Sequence, residues 1–137
     1  MKKSKRWQYY QPNKKDLKDK YGDCVIRAFS KVLGLSWVET FDKLIPFMRE
    51  EQCLINGLPL DVKKRLFKSL GFSYHGVAVA KGTKRPTVGS FAKDHPAGTY
   101  VLRVAHHLVA VVDGSYFDTW DSGSCCLYGY FEKEMAK

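Results

Sequence analysis

Between Asp23 and Leu33, apolar residues recur at three- and four-residue intervals: Val25, Ile26, Phe29, Val32 and Leu33. That period predicts a helix, with Asp23 as its N-cap residue and Gly34 as its stop. Ser36-Trp37-Val38-Glu39 follows as S-x-x-E, the signature of a capping box, and predicts a second helix. Its apolar face is Trp37, Phe41, Leu44 and Ile45, and Pro46, lacking an N–H for the helical ladder, is expected to end or kink it. A third helix is expected in NGLPLDVKKRLFKSLGF. Pro59 and Asp61 suit its first turn, Val62, Leu66, Phe67 and Leu70 its buried stripe, and Gly71 its C-cap.

The pattern then changes. FSYHGVAVA reads as a strand, and residues 81–98 read as a loop holding at most one short helix. From Thr99 the chain is β in character: TYVLRV, HLVAVV, a turn at Asp113-Gly114, then YFDTW, with LYGYF as a further strand. Helices first and an antiparallel sheet second make an α+β fold.

At 137 residues, 45% apolar and 14% aromatic, the chain is expected to form one globular domain with its own core. No apolar run has the length of a membrane span, so no membrane partner is expected. The N-terminus MKKSKRWQYY has no apolar stretch behind its positive start, so secretion is not expected either. Cys24, Cys53, Cys125 and Cys126 are read as free thiols in a reducing, cytoplasmic environment, because an adjacent pair is not a usual disulfide framework. There is no CxxC and no HxxxH, so zinc ligands would have to be scattered, and no cofactor or metal is expected.

The net charge of +9 is unevenly distributed. Residues 1–20 hold eight lysines and arginines against Asp16 and Asp19, and form a basic arm ahead of a single domain at 21–137. With Trp7, Tyr9 and Tyr10 interleaved, the arm could contact nucleic acid or an acidic protein. The alternative, that its aromatics fold back onto the domain, is preferred because no nucleic-acid-binding motif accompanies the charge.

Cys24 falls in the first turn of the first helix, where unsatisfied N–H groups and the helix dipole favour thiolate over thiol. It is a candidate nucleophile if a base lies nearby. His106 and His107 head the apolar strand LVAVV. If Asp113-Gly114 is a two-residue turn, Val112 pairs with Ser115 and Val109 falls opposite Asp118. His107 then shares the face of Asp118, diagonally within side-chain reach. A three-residue turn would reverse the parity and put His106 there instead. A carboxylate beside an imidazole fixes its tautomer and stabilises the imidazolium.

Cys24 followed by Ala28-Phe29-Ser30, then His107-Leu108-Val109-Ala110-Val111, then Asp118-Thr119-Trp120 resembles the papain-like cysteine peptidases. The order is even more similar to their compact, bacteriocin-processing relatives, and to small phage-encoded peptidase-like proteins of the form DCVxRA…HLVAVxDG…DTW. The resemblance covers residues 23–35 and 99–121. It implies a papain-like fold and a thiol hydrolase acting on a peptide or isopeptide bond, with Cys24 as nucleophile, His107 as general acid/base and Asp118 as orienting carboxylate. Trp120 would shield the His-Asp pair. The family's oxyanion Gln, six residues before the nucleophile, is here Lys18, which leaves Gln11 and Asn13 as substitutes beside the Cys24 N–H. The rival expectations are a catalytically silent protein of the same fold that binds a host or defence protein, and nucleic-acid contact through residues 1–20. His75, His95, Cys53, Cys125 and Cys126 are given no role, and Asp121 falls beyond the face that His107 shares with Asp118.

Overall fold

The structure is a computed structural model and describes residues 6–134. Its helices are α1 (Cys24–Leu33), α2 (Trp37–Glu51), α3 (Leu60–Ser69) and α4 (Val88–Asp94). Its strands are β1 (Trp7–Tyr9), β2 (Phe72–Gly76), β3 (Thr99–Val104), β4 (His107–Val112), β5 (Ser115–Asp118) and β6 (Gly129–Lys133). None of the helices among the described residues is long and apolar enough to cross a membrane.

α1 and α2 begin and end for the reasons their sequences give, with two exceptions, and α3 has Leu70 as its C-cap, one residue before the expected Gly71. Gly34 closes α1 at a φ of 68°, its N–H and that of Leu35 returning to Lys31 and Ser30. The capping box of α2 is complete: the Ser36 hydroxyl accepts from Glu39 N and the Glu39 carboxylate accepts from Ser36 N. Contrary to expectation, α2 runs through Pro46 to Glu51. Pro46 is exposed, while Leu44 before it is buried and Phe47 and Met48 after it pack against the core, so burial on both sides outweighs the lost bond. The second exception is Asp23. It stands at the N-cap position of α1, but its side chain makes no capping bond.

The six strands form one sheet in the order β1-β5-β4-β3-β6-β2. β3–β4 and β4–β5 are hairpins, the second turning through Asp113 (φ 48°) and Gly114 (φ 81°) so that Val112 pairs with Ser115. Two consecutive positive φ angles are what an Asp-Gly turn supplies between right-twisted strands. The sheet is mixed rather than antiparallel, because β1 lies parallel to β5, with Trp7 beside Tyr116 and Tyr9 beside Asp118. A parallel neighbour needs a long crossover. Here it is the chain from α1 to β4, which separates β1 from its partner.

β1 also revises the division at residue 20. Within the basic segment Trp7–Tyr9 is a strand of the sheet, and two of its three aromatics return to the domain: Trp7 packs against the α4 core and Tyr10 Oη lies 2.8 Å from Ser30 Oγ, while Tyr9 stays exposed. Lys2, Lys3 and Lys5 lie outside the described residues.

Both sheet faces are covered, which is why the central strands are almost continuously apolar. One face, with Val101, Leu108, Ala110 and Phe131, packs against α1 and α3, where Phe29 stacks on Phe67 at 4.1 Å. The other, with Leu102, Val109, Val111 and Tyr116, packs against Val88, Phe91 and Ala92 of α4. This packing fixes the N-terminus of α1 at the His107 end of β4.

Candidate active site

Cys24 opens α1, and the first intrahelical bond runs from Arg27 N to Asp23 O at 2.9 Å. The N–H groups of Cys24, Val25 and Ile26 therefore precede the ladder, and the Asp23 carboxylate does not cap them. The positive end of the helix stays open at the sulfur. The His107 side chain and the Leu108 backbone both act on the Cys24 thiol, and all three residues line one cleft. Leu108 follows His107 on β4, so a single strand end supplies both.

His107 Nε2 lies 2.7 Å from Asp118 Oδ2. The Asp118 carboxylate is 1% exposed and accepts four bonds. Oδ1 takes Arg27 Nη2 at 3.2 Å and Thr119 N at 2.8 Å, while Oδ2 takes Ser122 Oγ at 2.8 Å and the imidazole. A carboxylate so placed is an acceptor, which assigns the proton to Nε2 and turns Nδ1 toward the sulfur. The structure thus brings together Cys24, His107 and Asp118. The two-residue turn selects His107, and His106 sits in the β3–β4 turn at a φ of 55°.

Burial pushes the Cys24 thiol up, but the hydrogen bonds from His107 and Leu108, with the charges of His107 and Arg27, outweigh it and hold the thiol below its ordinary value. Burial likewise pushes His107 down, yet its bonds to Asp118 and Cys24 and their charges raise it to about 9. The two shifts favour the same state, a thiolate beside an imidazolium.

Arg27 is the residue that sequence reasoning passed over. It is 3% exposed and ties together Asp118, Asp23 (3.2 Å) and Asp19 (3.1 Å). Asp23 in turn accepts Trp37 Nε1 at 2.7 Å, and Asp19 accepts the Thr119 hydroxyl at 2.5 Å. The available signal was a lone arginine inside VIRAFS, one turn after Asp23. A charge there must find partners when the helix is buried.

Asp16, Asp19 and Asp23 bring carboxylate oxygens within 4.8 Å of one another. Their donors come from the protein itself: Asp16 accepts Lys20 N and Tyr21 N, and the other two hold Arg27. The guanidinium already supplies the cation such a cluster calls for.

The other predicted residues divide. Trp120 lies over the imidazole, ring centres 5.4 Å apart, while remaining 44% exposed. Gln11 and Asn13 are not at the site. Gln11 Nε2 donates to Asp16 O, Gln11 Oε1 accepts Asn13 N, and Asn13 Oδ1 accepts Lys15 N. Both amides are consumed in shaping their own loop, and neither lines the cleft at Cys24. Asp121 accepts the Tyr116 hydroxyl and Gly123 N, away from His107. All four cysteines are free.

A cleft of about 500 Å³ opens beside Cys24, with Asn56, Leu60, Lys63, Arg103 and Trp120 among its walls. α3 contributes Leu60 and Lys63 to it, and no residue of the loop at 81–98 lines it. Comparison with known protein families, with curated proteins and with solved structures finds no match to this chain.

Proposed function

We propose that this protein is a thiol-dependent hydrolase of papain-like type, acting on a peptide or isopeptide bond. The observation that carries the reading is the linear arrangement Cys24–His107–Asp118, with the sulfur at an open helix N-terminus and the carboxylate buried. In the first half-reaction the thiolate attacks the acyl carbon, and negative charge moves to the carbonyl oxygen. The Cys24 N–H, ahead of the helical ladder, is the donor in this reading. As the C–N bond breaks, the imidazolium gives its proton to the leaving amine, and a thioester remains on Cys24. A water then loses its proton to His107 and attacks the thioester, releasing the carboxylic acid and restoring the thiolate–imidazolium pair. Asp118 keeps Nδ1 directed at the reacting atoms throughout, and Trp120 limits water at the imidazole.

The test is the rate of iodoacetamide alkylation at Cys24 against pH, read by mass spectrometry of the Cys24 peptide, in wild type and His107→Ala. The expected result is a reactive thiol titrating below the ordinary value of about 8.5 in wild type, with that advantage lost in the variant. Slow alkylation with an ordinary or raised titration in both proteins would overturn the reading.

A second reading is favoured by the position of Gln11 and Asn13. With no amide from that segment at the oxyanion position, the same fold could serve as a silent binder of another protein. Its effect would then survive Cys24→Ala, whereas that of a hydrolase would not.

A further inference from the structure

Besides Arg27, which its carboxylate partners hold, two cations line the cleft beside Cys24, Lys63 of α3 and Arg103 of β3. Neither lies within 4.0 Å of a carboxylate among the described residues, unlike Arg27, Arg65 and Lys68. Lys63 is half-buried. Burial pushes its ammonium below the ordinary value, and Arg103 adds to that while the charge of Cys24 opposes it. The carboxylates in the same walls, Asp19 and Asp23, are already held by Arg27. The open charge of the cleft is therefore positive.

Arg103 connects this charge to a surface row. Its Nε donates to Tyr74 Oη at 3.1 Å, and its guanidinium lies 5.9 Å from the Tyr74 ring centre and 6.0 Å from that of Tyr128. Lys64 caps the Tyr74 ring at 4.6 Å, and Arg85 caps the Tyr128 ring at 4.6 Å. Arg85 is itself anchored through Nη1 to the carbonyls of Val77 and Leu127. The order Lys64–Tyr74–Arg103–Tyr128–Arg85 alternates cation and ring, and its central member reaches the cleft. Rings that hold guanidinium groups in place leave their edge N–H groups directed at an incoming oxygen.

We propose that the cleft and this row bind an acidic segment of the acyl substrate, with Asp or Glu side chains adjacent to the bond attacked by Cys24. The assignment rests on the acyl-transfer reading, and that chemistry is what favours a polypeptide over a nucleic acid. A thiolate attacks a carbonyl carbon, and a phosphodiester chain presents none along its backbone. Lys63 would meet the carboxylate nearest the scissile bond, and Arg103, Lys64 and Arg85 those further along.

The proposal is tested with two alkylating agents that differ in charge. Cys24 is alkylated by anionic iodoacetate or neutral iodoacetamide at low salt, in wild type, in Lys63→Gln/Arg103→Gln and in Arg85→Gln, which lies outside the cleft. The iodoacetate-to-iodoacetamide rate ratio is expected to fall roughly tenfold in the double variant. Polyglutamate should slow iodoacetamide labelling of Cys24 in wild type, less so in Arg85→Gln, and not at all in the double variant. An unchanged ratio would overturn the proposal, as would protection by a single-stranded oligonucleotide without protection by polyglutamate. Neither readout requires hydrolysis. Failure of the acyl-transfer reading shows separately, as labelling that does not respond to His107→Ala.

Discussion

Arg27 Nη2 donates to Asp118 Oδ1 at 3.2 Å across the joint between α1 and β5, and both side chains are almost inaccessible to water. This contact holds the Asp118 carboxylate to the helix that carries Cys24. Its partners are so complete that no buried side-chain nitrogen or oxygen among the described residues lacks a hydrogen bond.

Removing one side of such a network leaves the other charged and unpaired in the interior. Arg27→Met is expected to lower stability by about 3–5 kcal/mol, because Asp23 loses its counterion and Asp118 keeps only His107, both carboxylates remaining buried. Urea unfolding of wild type and variant measures this directly. A loss within about 1 kcal/mol would mean that water reaches the carboxylates, and that the arginine is dispensable to the fold.

The elevated His107 pKa makes stability depend on pH in a stated direction. Its ordinary value is 6.5 and its folded value is raised to about 9. The stabilisation it contributes is fully present below the unfolded value and is lost as pH rises through about 9. The size of that loss is on the order of 3 kcal/mol. Cys24 runs the other way: its thiol is lowered, so its contribution is present above 9.0 and lost as pH falls through the folded value. An NMR titration of the His107 ring separates the two. The ring should titrate near 9 in wild type and distinctly lower in Asp118→Asn. A midpoint near 6.5 in both proteins would show that Asp118 does not hold the imidazolium.

β1 touches Asp118 through its backbone, not its carboxylate. Trp7 Nε1 and Tyr10 N both donate to Asp118 O, at 3.2 and 3.0 Å. Trp7→Ala is therefore expected to destabilise the protein by roughly 1–3 kcal/mol, through lost packing of a half-buried ring. The pH profile of Cys24 alkylation should stay where it is in wild type. A displaced profile, measured on the folded variant, would show instead that β1 sets the carboxylate's position.

Local rules carried much of this molecule. The three- and four-residue period of Val25, Ile26, Phe29 and Val32, the Ser36/Glu39 box, and the Asp113-Gly114 turn each act within a few residues, and each element formed where its residues placed it. The turn did more than end a strand. With two residues between Val112 and Ser115, the parity of β4 against β5 followed, and His107 fell on the face of Asp118 rather than His106. Half of the candidate site was legible for that reason.

What remained depended on contacts between distant segments. Three residues, Trp7 to Tyr9, carry too little pattern to announce a strand, and only β5 gives them a parallel partner. Pro46 breaks a helix in isolation, but the packing of Phe47 and Met48 against the core carries α2 past it. Gln11 and Asn13 had the right chemistry, yet the backbone of their own loop satisfied them first. The sequence by itself determined where α1, α2 and α3 begin, where the β3–β4–β5 segments lie, and which cysteine stands at a helix start, because propensity, capping and turn geometry are short-range. Only the tertiary structure decided that α1 meets the head of β4, that Arg27 binds three carboxylates, and that Lys63 and Arg103 are left facing the cleft. Those outcomes follow from burial and charge pairing among residues far apart in the chain, for which no local pattern is required.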